Sequence, residues 1–490
     1  MLHCSEGVRM NFDFQKMFGG KTVVLLGAGV SNMPLAEVLT DCGAHLVVRD
    51  RKTLDALGET GARLQTLGAQ LILGEGYLEN IEGDFLFRSP GFRPDLPQLL
   101  AAKRAGCVIT SEMELFLEYA PCPVVGVTGS DGKSTTTTLV SKILEQLDPK
   151  GRKVFLGGNI GEPLLYRIND MSADDAVAAE LSSFQLMSID VPPAVAVIKN
   201  VTPNHLNWHT DMDEYIAAKA KILAGCRVAV LNYDDSVCRT LGEGCTAPVM
   251  WFSRSPIPVD FLKTQAGGVY PKDGYVTLYD NAAGIEQPMF AADVILLPGA
   301  HNLENYSTAV AAVWALTSIV QGDKNAATPL AQAAQTVAGT FGGVRHRMEL
   351  VREVNGVRYY NSSIDSSPTR TAAAISAHTC PIRIICGGYD KKVPFAPLAK
   401  ALISHGNVQT VVLTGATMEK IKQALVEEPG FAESGIELIC QPDFEAAVHA
   451  AAKSAKAGDA VLLSPACASF DAFENFEKRG ERFREIVNSL

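Results

Sequence analysis

The sequence predicts an α/β protein built from about three domains. Its 490 residues exceed what one hydrophobic core can serve, because single cores stop growing at roughly 250–300 residues. Short runs rich in β-branched residues, such as Thr22–Leu26, alternate with Ala/Leu-rich stretches of helical length, which is typical of mainly parallel sheets. A hydrophobic fraction of 47% and a charged fraction of 20% indicate a globular chain.

The composition argues against several classes of protein. The formal net charge of -11 disfavours a general nucleic-acid binder, which needs surplus Lys and Arg. We find neither a basic-then-apolar leader nor an apolar run of about 18–20 residues, so we expect no membrane insertion. The 11 cysteines include no C-x-x-C pair and suggest free thiols in a reducing compartment. We expect a cytoplasmic protein that acts as a monomer.

Helix-breaking and turn residues divide the chain into three blocks. Two prolines, Pro121 and Pro123, interrupt a helical pattern before a new strand, and the second block runs to about Gly343. The third block opens with two strand-like runs around the hairpin signal Asn355-Gly356. The predicted domains are a Rossmann-like domain at 1–120, a P-loop-type mononucleotide-binding domain at 121–345 and a second Rossmann-like domain at 346–490.

The clearest chemical signal is a glycine-rich loop between an apolar strand and a helix-length segment. Such a loop directs backbone N–H groups and a helix N-terminus at phosphate. Lys133 can reach the β- and γ-phosphates, and the Ser134 hydroxyl can bind Mg²⁺. Val127 stands where a Walker A motif has glycine, but the order of elements still predicts a nucleoside triphosphate site. The loop comprises Gly129, Ser130, Asp131, Gly132, Lys133, Ser134 and Thr135.

A second turn, Gly27–Asn32, resembles the dinucleotide fingerprint, with Asn32 in place of the third glycine. Asp50 follows the next strand at a distance suited to a ribose hydroxyl. Taken alone the pattern suggests an NAD-dependent oxidoreductase. Because the chain also has a triphosphate loop, the pattern equally suits the diphosphate of a nucleotide sugar. The turn Ser89–Gly91 is expected at the same edge of the sheet.

The second block contains candidate metal ligands. Glu180 ends one strand and His205 follows another, so both are expected at the carboxyl edge of a parallel sheet, near Lys133. Oxygen ligands from Glu180 and Ser134 suit Mg²⁺, whereas a lone histidine is more often a loop or core residue. Lys219 is expected to lie off the apolar stripe of its helix and to be solvated.

Together these motifs resemble the Mur ligase family over nearly the whole chain. The phosphate loop, Gly158–Gly161, Glu180–Gln185, Asn200–Leu206 and His301–Asn305 are similar to its central-domain motifs. The ending Leu463–Asp471 with Asn475–Gly480 resembles the members that add D-glutamate.

The resemblance implies an ATP-dependent ligase that joins D-glutamate to UDP-N-acetylmuramoyl-L-alanine through an acyl phosphate. It implies two Mg²⁺ ions, with Glu180 and His205 as ligands and a carbamylated Lys219 positioning the second. The remaining implied contacts are those of Asn305 and Arg347 with ATP; of Val30, Ser31, Asn32, Asp50, Ser89, Gly91 and Asn159 with the UDP substrate; and of Lys391, Ser469 and Phe476 with D-glutamate.

Two departures from the family pattern keep alternatives open. Ser362 stands where the family usually has Asp, with Asp365 three residues on, and Asn207 stands where Asp is frequent. The alternatives are another Mur or folylpolyglutamate-type amide ligase, and a nucleotide-binding protein of this fold with impaired catalysis.

Overall fold

The structure is a computed structural model that describes residues 12–29, 32–148, 151–206, 208–297, 299–391 and 393–490. It confirms the α/β class, with sheets of five, nine and six strands. The described residues form two compact units. One comprises the chain up to Ala292 with Glu304–Val337, and the other comprises Asp293–Leu303 with Ala338–Leu490.

The first sheet is entirely parallel, with strand order β3-β2-β1-β4-β5. The chain order reverses between β1 and β4, and ligands of open α/β sheets bind at such switch points. The elements are α1 Phe14–Phe18, β1 Thr22–Leu26, α2 Met33–Asp41, β2 His45–Asp50, α3 Leu54–Leu57, α4 Glu59–Thr66, β3 Gln70–Leu73, β4 Phe85–Arg88, α5 Pro97–Arg104, β5 Val108–Thr110 and α6 Glu112–Tyr119.

The second sheet has the order β14-β13-β12-β11-β10-β9-β6-β8-β7 and is parallel except at its β12–β14 edge. Its strand β6, between β9 and β8, is buried along its whole length and leads into the phosphate loop. The elements are β6 Val124–Thr128, α7 Lys133–Leu147, β7 Val154–Gly158, β8 Ala176–Glu180, α8 Ser183–Leu186, β9 Val195–Ile198, α9 Met212–Ala220, β10 Val228–Asn232, α10 Ser236–Glu243, β11 Val249–Phe252, α11 Val259–Leu262, β12 Gly267–Lys272, β13 Tyr275–Asp280, β14 Ile285–Ala291, α12 Ala300–Trp314 and α13 Ala327–Thr340.

The third sheet has the order β15-β16-β20-β17-β18-β19, and only β15 is antiparallel. The predicted hairpin at Asn355-Gly356 is confirmed, and both residues have positive φ, 51° and 77°. The elements are β15 Glu349–Val354, β16 Val357–Asn361, α14 Pro368–Ser376, β17 Ile382–Gly387, α15 Ala396–Ser404, β18 Val408–Thr414, α16 Met418–Glu427, β19 Glu437–Cys440, α17 Phe444–Ser454, β20 Ala460–Leu463 and α18 Phe476–Ser489.

One hydrophobic cluster joins the first two sheets. Phe18 of α1 and Phe87 of β4 belong to it together with Phe155 and Leu231 of the second sheet, which explains why these sheets share a compact unit. The domain limits at 120 and 345 therefore remain a prediction. Among the helices that the structure describes, none combines the length and the apolar character needed to cross a bilayer.

Candidate active site

The phosphate loop joins β6 to α7, and two of its glycines adopt backbone angles that L-residues rarely reach. Gly129 has φ 146°, and Gly132, the residue before the helix, has φ 77°. A Cβ on Gly129 would lie 2.8 Å from Lys199 Cβ, so the loop requires glycine for space as well as for conformation. The loop therefore ends on the N-terminus of a 15-residue helix, a geometry suited to phosphate.

Side chains outside the loop hold it in place. Asn200 Oδ1 accepts hydrogen bonds from the backbone N–H groups of Ser130 (3.0 Å) and Asp131 (2.8 Å). The Ser130 hydroxyl donates to Thr202 O at 2.9 Å and contacts Tyr215 Oη at 2.9 Å. Lys133 Nζ donates to Ser130 O at 3.0 Å, which keeps the ammonium folded over its own loop.

Glu180 ends β8 beside the start of the loop, as predicted, in register with Val127 of β6. Its side chain is 2% exposed. Oε1 accepts a hydrogen bond from Asn159 Nδ2 at 2.8 Å, whereas Oε2 has no partner among the described residues. Burying a carboxylate oxygen without a partner is costly, and a bound cation would remove that cost. Glu180 therefore fits the predicted Mg²⁺ site.

Lys219 corrects an expectation drawn from the helical pattern, because it is buried (1% exposed) rather than solvated. It lies four residues after Tyr215 on α9, so the two side chains share one helix face. Lys219 Nζ donates to Gly129 O at 2.8 Å and lies 4.6 Å from the Tyr215 ring centroid. Burial, and then the nearby charge of Lys133, lower the pKa of Lys219 to about 7.

His205 lies on the exposed loop after β9, with φ 55°. Its ring packs edge-on against Phe184, with centroids 4.9 Å apart. Within the described ranges no three His, Cys, Asp or Glu side chains gather closely enough to hold a metal ion. An ion near Glu180 would therefore need oxygen ligands of other kinds, such as substrate phosphate and water, which Mg²⁺ commonly uses. Asn207 lies outside the described residues.

The two turns of the first sheet meet at its switch point. Asn32 is 1% exposed and its amide donates to Gly27 O (2.9 Å) and to Ser89 Oγ (3.0 Å). A Cβ on Gly27 would lie 2.7 Å from Ser89 Oγ. The side chain of Asn32 thus joins the turns, which explains an asparagine where the dinucleotide fingerprint has glycine. Asp50 Oδ2 accepts a hydrogen bond from Ala28 N at 2.8 Å. Val30 and Ser31 lie outside the described residues.

Two arginines that sequence reasoning missed join these turns to the central sheet. Arg88, 1% exposed, donates to Phe184 O (3.2 Å) and Ser188 Oγ (2.7 Å), and also bonds Phe92 O. Arg93 pairs with Glu214 at 2.7 Å. The positions of these arginines on either side of the turn Ser89–Gly91 could have indicated a role at that turn. Arginines beside turns are, however, commonly surface residues. Both guanidinium groups connect the predicted substrate turn with the loops near Glu180.

The predicted D-glutamate residues all belong to the second unit. Lys391 Nζ is exposed and donates to Ser366 Oγ at 3.2 Å. Ser469 is buried after β20, and Phe476 is the first residue of α18. Arg479, another residue that was missed, is 2% exposed and bonds the carbonyls of Ser363, Cys467 and Ala468.

Every cysteine in the described part of the chain has a free thiol. Burial raises the pKa of Cys467 to about 11, so little of the reactive thiolate forms near pH 7.

Asp365, three residues after Ser362, is buried, with 7% of its surface exposed. Its Oδ2 accepts a hydrogen bond from Ser464 Oγ at 2.8 Å. Burial raises the pKa of Asp365, and hydrogen bonds from Ser362 and Ser464 offset part of that rise. Ser362 and Asp365 are therefore buried side by side, and the backbone N–H of Asp365 donates to Ser362 O at 2.9 Å.

We expect Ser362→Asp alone to reduce the free energy of unfolding by about 2–4 kcal/mol, because two buried carboxylates would face each other without the serine donor. The exchanged pair Ser362→Asp with Asp365→Ser restores one donor and one acceptor, so most of the loss should be recovered. Urea unfolding of both variants measures their free energies of unfolding. An exchanged variant no more stable than Ser362→Asp would contradict the pairing.

Asn305 and Arg347, both predicted to contact ATP, belong to different units. Asn305 lies on α12 in the first unit and is 3% exposed. Its Oδ1 accepts hydrogen bonds from Lys199 Nζ (2.8 Å) and Thr136 Oγ1 (3.3 Å). Arg347 belongs to the second unit, where its backbone N–H donates to Val344 O at 2.9 Å and its charge lowers the pKa of Asp365.

Comparison with known proteins identifies the family of the chain. The Mur ligase middle domain matches residues 127–313, and the Mur ligase, glutamate ligase domain matches residues 346–467. The UDP-N-acetylmuramoylalanine--D-glutamate ligase of Clostridium perfringens is 42% identical over 98% of this chain and 99% of its own. That of Acetivibrio thermocellus is also 42% identical, over 98% of each chain.

A solved UDP-N-acetylmuramate-alanine ligase from Thermotoga maritima has the same fold, with a TM-score of 0.56 at 19% identity, over 96% of this chain and 99% of that chain. The identity to relatives over the full chain supports a narrower classification than the shared fold does. The chain belongs to the Mur ligase family, in its UDP-N-acetylmuramoylalanine--D-glutamate ligase branch.

Proposed function

We propose that this protein is an ATP-dependent, ADP-forming ligase that adds D-glutamate to UDP-N-acetylmuramoyl-L-alanine in peptidoglycan precursor synthesis. The observation that carries the proposal is the phosphate loop with Lys133, beside a buried carboxylate, Glu180, that has an oxygen without a partner. Full-length identity of 42% to ligases of that name supports the choice of substrates.

The chemistry needs no protein nucleophile. The γ-phosphoryl group of ATP passes to one oxygen of the L-alanyl carboxylate, and its bond to ADP breaks. The D-glutamate amine then attacks the acyl carbon and loses a proton, and inorganic phosphate leaves with the carboxylate oxygen. Catalysis of such transfers is mostly positioning and charge neutralisation. Lys133 supplies a positive charge at the loop, and backbone amides of the loop orient the phosphates.

The residues present fit Mg²⁺, which, when bound, would neutralise charge on the transferring phosphoryl group. Glu180, His205 and Ser134 would hold it, with Lys219 as a carbamate near a second ion. Thr135 and the rest of the loop, with Asn305 and Arg347, would contact ATP.

The turns around Asn32, Asp50, Ser89 and Gly91, with Asn159, would contact the UDP substrate. Val30 and Ser31, whose structure is not described, are assigned to the same group by sequence only. Lys391, Ser469 and Phe476 would surround D-glutamate, and the buried charge of Arg479 would favour its carboxylates nearby. Cytoplasmic location and a monomeric state complete the proposal, together with domains at 1–120, 121–345 and 346–490.

Carbamylation of Lys219 has a direct test. Only the neutral amine reacts with CO₂, and a pKa of about 7 leaves about nine tenths of it neutral at pH 8. We expect a carbamate carbon in the ¹³C NMR spectrum of protein held in ¹³C-bicarbonate, and its loss in Lys219→Arg. Lys221→Arg is the matched control, since Lys221 is on the surface, 3.2 Å from Asp190. A spectrum identical in Lys219→Arg and wild type would refute carbamylation.

The proposed function is tested by product mass with a panel of amino acids. UDP-N-acetylmuramoyl-L-alanine and ATP are incubated with D-glutamate, L-glutamate, L-alanine or meso-diaminopimelate. We expect a product only with D-glutamate, heavier by one glutamyl residue, with one ADP formed per product. A product with a different amino acid would indicate another amide ligase, and ATP binding without any product would indicate a nucleotide-binding protein with impaired catalysis.

A further inference from the structure

Lys199 is a buried lysine directly behind the phosphate loop. It follows β9, its backbone N–H donates to Thr128 O at 3.0 Å, and its side chain is 1% exposed. Fully buried lysines are rare unless paired, because the ammonium loses its hydration. Nothing in the chemistry described above uses this residue.

The Lys199 ammonium has three polar partners, all on α12. Its Nζ donates to Asn305 Oδ1 at 2.8 Å and to Thr308 Oγ1 at 3.1 Å, and lies 3.2 Å from Glu304 Oε1. Burial lowers the pKa of Lys199, and the Glu304 carboxylate opposes that shift. The ammonium is thus neutralised by Glu304 while one of its protons is directed at Asn305.

The phosphate loop packs on this group. A Cβ on Gly132 would lie 2.6 Å from Asn305 Oδ1 and 2.9 Å from Lys199 Cε. Gly132 directly precedes α7. The Lys199–Asn305 contact therefore lies beside the junction between the phosphate loop and the helix. A displacement of either side chain would change the support of the loop at that point.

The contact also fixes which end of the Asn305 amide faces Lys199. An ammonium carries three donors and no acceptor, so only the amide oxygen can face it. Thr136 Oγ1, 3.3 Å from the same oxygen, gives it a second donor. The Asn305 NH₂ group, which lies in the same amide plane, therefore points away from the Lys199 ammonium.

We propose that Lys199, neutralised by Glu304, is a positioning residue for ATP: it fixes the orientation of the Asn305 amide and supports the phosphate loop at Gly132. This proposal rests on the proposed role of Asn305 in binding ATP. Lys199 touches no substrate itself and acts through Asn305 and the loop at Gly132.

Steady-state kinetics of Lys199→Met tests the proposal. We expect KM for ATP to rise about tenfold, while KM for the UDP substrate and for D-glutamate changes less than about twofold, because a general loss of structure would not act on one substrate alone. Lys142→Met is the matched control: this lysine lies on α7 of the same unit, pairs with Glu145 at 2.8 Å and should behave as wild type.

Removing Lys199 leaves the half-buried Glu304 carboxylate unpaired, which can destabilise the protein. Lys199→Met with Glu304→Gln removes both charges, and such paired neutralisation often preserves stability. We expect this double variant to fold and to show the same rise in KM for ATP. A double-mutant cycle with Asn305→Ala completes the test: if Lys199 acts through Asn305, Lys199→Met adds little to KM for ATP in the Asn305→Ala background.

Wild-type KM for ATP in both Lys199 variants would overturn the proposal, and so would equal losses for all three substrates or additive effects in the cycle. These outcomes are separable from failure of the proposed function. If the wild type forms no ADP with D-glutamate, calorimetric titration of ATP into the same variants still measures the effect of Lys199 on nucleotide binding.

Discussion

Glu180→Gln should abolish most activity while leaving the protein at least as stable as wild type. The substitution keeps the acceptor for Asn159 but replaces the buried, unpartnered Oε2 with an amide group that cannot bind a cation. We expect kcat to fall by about 10³-fold, equivalent to about 4 kcal/mol of transition-state stabilisation, because an essential metal ligand is lost. Thermal unfolding and steady-state kinetics on one preparation measure both effects.

Loss of a metal ligand lowers activity without lowering stability, whereas loss of a structural carboxylate lowers both. If Glu180 only supported the fold, Glu180→Gln would lower the melting temperature and the activity together. Glu162→Gln is the control, because the Glu162 side chain is exposed at 63% and pairs with Arg167 on the surface. Retention of wild-type kcat by Glu180→Gln at the same Mg²⁺ concentration would exclude Glu180 from the ion site.

Lys133→Met is the second substitution with a large expected effect. It keeps most of the side-chain volume and removes the charge that we propose for the transferring phosphoryl group. We expect kcat/KM for ATP to fall by about 10³-fold, since a preorganised charge at the transferring phosphoryl group is lost. Phosphate-release kinetics over a range of ATP concentrations measures the loss, with Lys142→Met as control.

Lys133→Met should also change the pKa of Lys219. The charge of Lys133 is one of the two causes that lower the pKa of Lys219, after burial. Its removal should raise that pKa, so less of the amine is neutral near pH 7 and the carbamate signal should decline. An unchanged carbamate signal in Lys133→Met would contradict the electrostatic coupling, and unchanged kcat/KM would contradict the role of the loop.

The sequence predicted the features that depend on chain order and local spacing. A strand followed by Gly129–Ser134 and a helix predicts a phosphate loop without knowledge of any contact. Glu180 at the end of β8 could be placed in the same way, because carboxyl ends of parallel strands share one edge. The hairpin at Asn355-Gly356 also follows from local turn chemistry, since both residues tolerate positive φ.

Features that depend on distant parts of the chain could not be predicted. Lys219 is buried because Gly129 O and the Tyr215 ring surround its ammonium, and neither contact is visible in the local helical pattern. Lys199 pairs with residues more than a hundred positions away on α12. Arg479, likewise, bonds Ser363 across a sequence separation of 116 residues. In each case a polar group is buried by tertiary packing, which single-sequence patterns do not encode.

In the proposed reaction ATP phosphorylates the L-alanyl carboxylate, and the fate of the carboxylate oxygen reveals whether it does. UDP-N-acetylmuramoyl-L-alanine with both carboxylate oxygens labelled as ¹⁸O is incubated with ATP and D-glutamate, and the released phosphate is analysed by mass. We predict one ¹⁸O atom in each phosphate, the other label remaining in the new amide, and little release without D-glutamate. Phosphate that carries no ¹⁸O would contradict an acyl-phosphate intermediate, and label in AMP would show that the carboxylate is activated by adenylyl transfer instead.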